Sequence, residues 1–212
     1  MEHLTYDKNG NIQNLLRNGN MDTDGLQDVN PIDNLTYLYD DTNKNLLLRV
    51  FDESSNPQGF KDDENENSLA TEQAQSPDYS YDANGNMISD TNKNIVSIKY
   101  NHLNLPTQIF FGNVNSISYL YTANGQKVQK TIQNNNPITV DKTDYLGGFQ
   151  YFNELLRFFP HAEGYVNATK NKYDYDFNYV FNYTDHLGNV RLSYTQDPIS
   201  QVLKVTEENH YY

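Results

Sequence analysis

Apolar and polar residues alternate one for one over much of this chain, the period of a β-strand with one face buried and not that of a helix. The clearest run is Tyr173 to Tyr183. Tyr173, Tyr175, Phe177, Tyr179, Phe181 and Tyr183 alternate there with Asp174, Asp176, Asn178, Val180 and Asn182. The segment "TDHLGN" (Thr184–Asn189) follows, and then Val190, Leu192 and Tyr194 share a face, so the whole predicts a long hairpin. Val96, Ile98 and Tyr100 oppose Ser97 and Lys99, and Ile117, Tyr119 and Tyr121 line up in the same way. The aromatic row of Tyr173–Tyr183 reads as a face packed on a core, with a sugar-stacking platform as the alternative. Asn153–Gly164 is the one stretch that reads as a short helix, ended by Pro160. Glu53–Asp78 is acidic and poor in apolar residues, which predicts a long surface loop. Gln133–Pro137 reads as a hairpin tip.

The residues between the strands repeat. "YDKNGNI" (Tyr6–Ile12) matches "YDANGNM" (Tyr81–Met87) at five of seven positions, and "YTANGQK" (Tyr121–Lys127) keeps Tyr, Asn and Gly at the same offsets. "YDDTNKNL" (Tyr39–Leu46) and "YNHLNLP" (Tyr100–Pro106) are looser relatives. Spacings of 19 and 21 residues separate Tyr81, Tyr100 and Tyr121, which suits two short strands and two turns per repeat. Asp82, Asn84, Asn86 and Asp90 could also suggest a calcium loop. An EF-hand needs Gly at its sixth position and Glu at its twelfth, where this chain has Met87 and Lys93. A type I turn favours Asp first and Gly fourth. Asp7…Gly10 and Asp82…Gly85 have that form, with Gly at φ > 0 closing a bulged hairpin.

Composition supports the same picture. The 212 residues include 18 Tyr, 31 Asn and no Trp; Tyr favours strands and Asn favours turns. The expected fold class is therefore all-β, short strands joined by tight turns into successive antiparallel hairpins. A net charge of −13 argues against nucleic acid as a partner. No apolar run reaches the length of a membrane-spanning helix. The absence of Cys excludes disulfides and thiolate chemistry. Met1 leads directly into patterned sequence, so the expectation is either that the protein stays inside or that its export signal lies outside this stretch.

These residues resemble the YD-repeat proteins of the RHS family. The repeat hallmark is Tyr-Asp followed by Gly at a fixed offset, as at Tyr6, Asp7 and Gly10 and at Tyr81, Asp82 and Gly85; Tyr121 and Gly125 keep part of it. "YTDHLGNVRLSY" resembles the signature of the RHS-associated core region through Asp185, His186, Leu187, Gly188 and Arg191. "FFPHAEGYV" (Phe158–Val166) is similar to the Bacteroidetes-type version. The resemblance implies repeat hairpins over 1–150, with the polar loop near 53–78, and a core-like segment over 151–212. It also implies a role. Such chains wind successive antiparallel hairpins into a curved or spiral sheet that closes as a hollow shell, in bacteria around a C-terminal toxin or effector, and teneurins use a related shell at cell surfaces. The expected setting is secreted or on a bacterial cell surface. Expected partners are the rest of the same shell or other copies through edge strands, an enclosed toxin, or a glycan. This chain carries few repeats, and it stops at "EENHYY" (Glu207–Tyr212), where relatives continue into Pro-Phe-Gly and a self-cleavage motif.

Reactive chemistry is scarce. His3, His102, His161, His186 and His210 show no metal-ligand spacing. His186 beside Asp185 invites a dyad, but no nucleophile motif completes it. Asp185 is instead expected to start a turn within which His186 packs or hydrogen-bonds. Arg191 is expected to pair with a carboxylate. No catalytic residue, cofactor site or metal site is assigned, and the chain is expected not to be an enzyme. The acidic balance has two readings, an inner wall that holds a basic cargo or a charge that keeps the surface soluble.

Overall fold

The computed structural model describes residues 3–20, 29–54, 56–62, 77–197 and 199–209. Among these residues there are strands and turns and no helix, so the all-β expectation holds. Among the described residues no helix is long and apolar enough to cross a membrane. The first eight strands are β1 (His3–Tyr6), β2 (Ile12–Asn20), β3 (Val29–Tyr39), β4 (Leu47–Asp52), β5 (Tyr79–Tyr81), β6 (Met87–Asp90), β7 (Ile95–Tyr100) and β8 (Pro106–Phe111). Nine more follow: β9 (Ser116–Tyr121), β10 (Lys127–Asn135), β11 (Ile138–Leu146), β12 (Phe149–Phe152), β13 (Leu155–His161), β14 (Gly164–Lys170), β15 (Tyr175–Thr184), β16 (Val190–Gln196) and β17 (Leu203–Glu208). β1–β4 form one sheet and β5–β17 another, each with its strands in chain order. The chain divides into two compact units, 1–116 and 117–212.

Unit 1 has a true core. Leu35, Val50 and Tyr79 are buried, with Leu15, Tyr37, Leu47, Phe60, Tyr81 and Met87 against them. Leu15 lies opposite Leu35, and Tyr37 opposite Val50, so cross-strand pairs supply one packed face. Asp78 splices β4 to the hairpins that follow. Its N–H donates to Leu48 O at 2.9 Å, and its carboxylate accepts Val50 N at 3.0 Å. The Arg49 guanidinium lies 3.2 Å from the same carboxylate, with both side chains nearly sealed from solvent. In β7 the alternation expected at Val96 fails. A bulge between Ile95 and Ser97 leaves Val96 58% exposed and buries Ile95 and Ile98.

The polar stretch near 53–78 is described only at its ends, and 63–76 lie outside the described residues. Its first part is not a free loop. Ser54 Oγ donates to Ile32 O, Asn56 Nδ2 to Pro31 O, and Phe60 N to Asp33 Oδ1. This strap lies so close on β3 that a Cβ at Gly59 would stand 2.1 Å from Ile32 O.

In unit 2 the expected helix at 153–164 is a strand, β13. Asn153 and Glu154 both take positive φ (48° and 68°), the geometry of a two-residue hairpin turn, so the chain reverses instead of coiling. Phe159 then stacks on Phe149. Pro160 is tolerated because the pairing with β12 ends at Gln150↔Phe158, two residues earlier, so no β12 partner asks it for an N–H. The tip at Asn136–Pro137 joins β10 to β11 through a cis peptide. The row on β15 departs from expectation. Tyr173 precedes the strand, and Tyr173, Phe177, Tyr179 and Tyr183 are 84%, 52%, 55% and 65% exposed. Smaller side chains carry the burial here: Val166, Ala168, Val180, Ser193 and Thr195 are all buried.

Candidate functional site

One five-residue turn is built three times. In Asp7–Asn11, Asp82–Asn86 and Asp185–Asn189 the Asp N–H donates to the Asn carbonyl at 2.9 Å, and the Gly N–H donates back to the Asp carbonyl. The Asp carboxylate accepts the backbone N–H of the third and fifth residues and the side-chain amide of the Asn. In the second copy these bonds are all 2.9 Å, and the other two repeat them within a few tenths of an ångström. Gly10, Gly85 and Gly188 sit at φ 87°, 82° and 86°, which only glycine adopts freely. "DHLGN" is therefore the same device as "DKNGN" and "DANGN", and the shared Asp-x-x-Gly-Asn pattern was available in the sequence.

The donors set the charge state of the turn. The Asn86 side-chain amide, against some desolvation, holds Asp82 below the usual carboxylate range, and Asn11 does the same for Asp7. At Asp185 desolvation pushes upward. The Asn189 backbone and side chain, Arg191 and Leu187 outweigh it and bring the group to about 2. Arg191 Nε lies 2.8 Å from Asp185 Oδ2, so the expected carboxylate partner is Asp185. His186 is exposed and bonds to nothing in the turn, contrary to expectation, because Asp185 is already fully engaged with backbone and amide donors. Leu187 is 73% exposed. The calcium alternative fails for the same reason, since N–H groups point at the Asp82 oxygens where an ion would need to sit. Among the described residues no cluster of three or more His, Asp or Glu could hold a metal.

Two looser turns keep the geometry with other residues. Asn101 replaces Asp, and Asn104 takes the glycine's place at φ 56°. Thr122 uses its hydroxyl to accept Gln126 N at 3.0 Å, with Gly125 at φ 84°. Neighbouring turns are also tied together. Asn11 Nδ2 donates to Asn45 Oδ1 at 3.2 Å, and Asn86 Nδ2 to Asn104 Oδ1 at 2.9 Å.

Three of the tyrosines that stand directly before a turn share one task. Tyr39 Oη donates to Ile12 O at 2.9 Å, Tyr81 Oη to Leu47 O at 2.7 Å, and Tyr100 Oη to Met87 O. Each acceptor is the first residue of the strand that leaves the previous turn. Burial pushes all three phenols up. Tyr121 is half-buried and also raised, mainly by burial. Tyr6, the first of the series, is 55% exposed. The hydroxyl bond is hidden in the sequence because its acceptor is a backbone atom some 13 to 34 residues away.

A second candidate surface lies in unit 2. Phe149 stacks on Phe159 with centroids 5.1 Å apart, Phe159 meets Phe177 edge-on at 6.0 Å, and Tyr175 stacks on Phe177 at 6.2 Å. His161 sits against Tyr179 and Phe181. Its Nδ1 accepts Glu163 N at 3.2 Å, which leaves Nε2 to donate to Val180 O at 3.1 Å.

No family model and no curated protein matches the chain. Among solved structures it is similar to the crystal structure of TcdB2-TccC3-TEV, at 11% identity and a TM-score of 0.40, over 100% of this chain and 14% of that one. A likeness at that score carries no function by itself.

Proposed function

We propose that the chain is a scaffold, a stretch of RHS/YD-repeat-type shell wall that encloses or displays a C-terminal toxin or effector, secreted or at a bacterial cell surface. The observation that carries this reading is the tyrosine stitch. Each of Tyr39, Tyr81 and Tyr100 fastens its hairpin to the strand before it. A bond that recurs at successive turns lets a sheet grow hairpin by hairpin, which is what a wall requires. The reading gives the chain no catalytic step of its own. Its partners are the rest of the wall, met through the open edge of β1, and the rest of the wall or other copies, met through the open edge of β17. Nucleic acid is disfavoured by the charge of −13. Limited proteolysis of the native polypeptide that carries this segment tests the proposal. The part following the segment should resist protease until the wall is denatured; digestion at the rate of a free tail overturns it.

A second reading, a glycan-binding or adhesion module, is favoured by one observation: Phe177, Tyr179 and Tyr183 face solvent in a row. Stacking on aromatic faces suits sugars. On a glycan array this reading expects saturable binding that Tyr179→Ala abolishes while stability is unchanged. Absence of binding leaves the wall reading alone.

A further inference from the structure

Unit 1 contains an unfilled member of its own series. Tyr39, Tyr81 and Tyr100 each stand last in a strand, directly before a turn, and each hydroxyl is satisfied by the strand before. Tyr6 holds the same place at the end of β1, directly before the Asp7–Asn11 turn. Its hydroxyl has no partner among the described residues, and it is 55% exposed. Among the described residues β1 pairs only with β2, and its other edge presents open backbone groups. What covers such an edge is visible twice in the same unit, where β2 lies along β3 and β6 along β7. Each is an antiparallel strand leaving a turn, and its first carbonyl takes the tyrosine hydroxyl; Tyr81 makes the same bond to the first carbonyl of β4, which belongs to the other sheet.

We propose that the β1 edge and Tyr6 form an acceptor site for one β-hairpin built like residues 79–94. In that hairpin two strands are joined by an Asp-x-x-Gly-Asn turn, and the strand leaving the turn lies along β1. A second copy of this chain does not fit the site. Its other terminal edge, β17, leaves a different turn, closed by Asp197 N donating to Val202 O. The inference deepens the scaffold reading and rests on it, because it takes the stitch to be the device of assembly.

The sequence supplies the test. Met1–Tyr6 has the same length as Ile95–Tyr100, and both end in a tyrosine before a turn. A copy of residues 79–94 placed directly before Met1 of the full chain therefore recreates the Met87-to-Tyr100 arrangement at Tyr6. The graft is expected to raise the thermal midpoint by more than about 4 °C. Tyr6→Phe in the grafted chain should take back about 2–4 °C, and in the ungrafted chain nothing. A graft with no effect, or one indifferent to Tyr6→Phe, overturns the site. So does concentration-dependent dimerisation of the ungrafted chain that the graft blocks and Tyr6→Phe leaves intact, because β1 would then be an edge between copies. Tyr81→Phe in the ungrafted chain separates the two ideas. A lower midpoint there with an inert graft removes the acceptor site and leaves the scaffold reading standing, whereas no loss in either sinks both.

Discussion

Unit 1 and unit 2 are made from the same strands and turns but are held in different ways. Unit 1 buries large side chains (Phe51 is 2% exposed) and seals the Arg49–Asp78 ion pair at the splice after β4. Among its described residues unit 2 buries only smaller side chains, such as Val180 at 0%, and leaves its rings on the surface of the sheet. The difference teaches that one turn chemistry can serve two kinds of sheet: one anchored by a core, the other carried by backbone ladders and ring-on-ring contacts.

That contrast is open to attack, most strongly through the core. Phe51→Ala should cost about 3–5 kcal/mol in urea unfolding, whereas Phe177→Ala should cost less than about 1. Asp78→Ala should match the larger value, because it strands a buried guanidinium; about 3–5 kcal/mol is typical of such a loss. Equal effects at Phe51 and Phe177 would erase the distinction between the units. Turn strain comes next. Gly85 has open space around it, so Gly85→Ala should cost about 1–2 kcal/mol through its φ of 82° alone. Val114 occupies the equivalent position of the turn closed by Phe111 N to Asn115 O, at φ 65°. Val114→Gly should therefore stabilise the chain by about 1 kcal/mol, read by the same denaturation. The smallest effect is in acid. Asp185 sits at about 2 in the folded chain against about 3.9 unfolded. Its contribution is fully present above about pH 4 and is lost as pH falls from there towards 2. Asp185→Asn should flatten that part of the pH–stability curve, and an unchanged curve would discount the carboxylate cage.

Most of the fold was legible because its signals are local. Strand period and Asp-x-x-Gly turns depend on residues within five of one another, and both are found where the sequence places them. The misses share the opposite cause. Asn153–Glu154 forms a turn without glycine, so the strand after it resembled a helix. The bulge at Val96 shifts the alternation by one residue and depends on how β8 pairs. The ring row on β15 looked like a core face because alternation tells which residues share a face and not whether anything covers it. At the candidate site the Asp and Gly roles were readable, but the tyrosine's acceptor was not.

The tyrosine series tests the central claim most directly. Tyr39→Phe, Tyr81→Phe and Tyr100→Phe each remove one hydroxyl and nothing else. Chemical denaturation of the three variants should show a loss of about 1 kcal/mol apiece, with Tyr6→Phe indistinguishable from the parent chain. Four equal values, or no loss at Tyr81, would mean that the hairpins are not fastened by this bond.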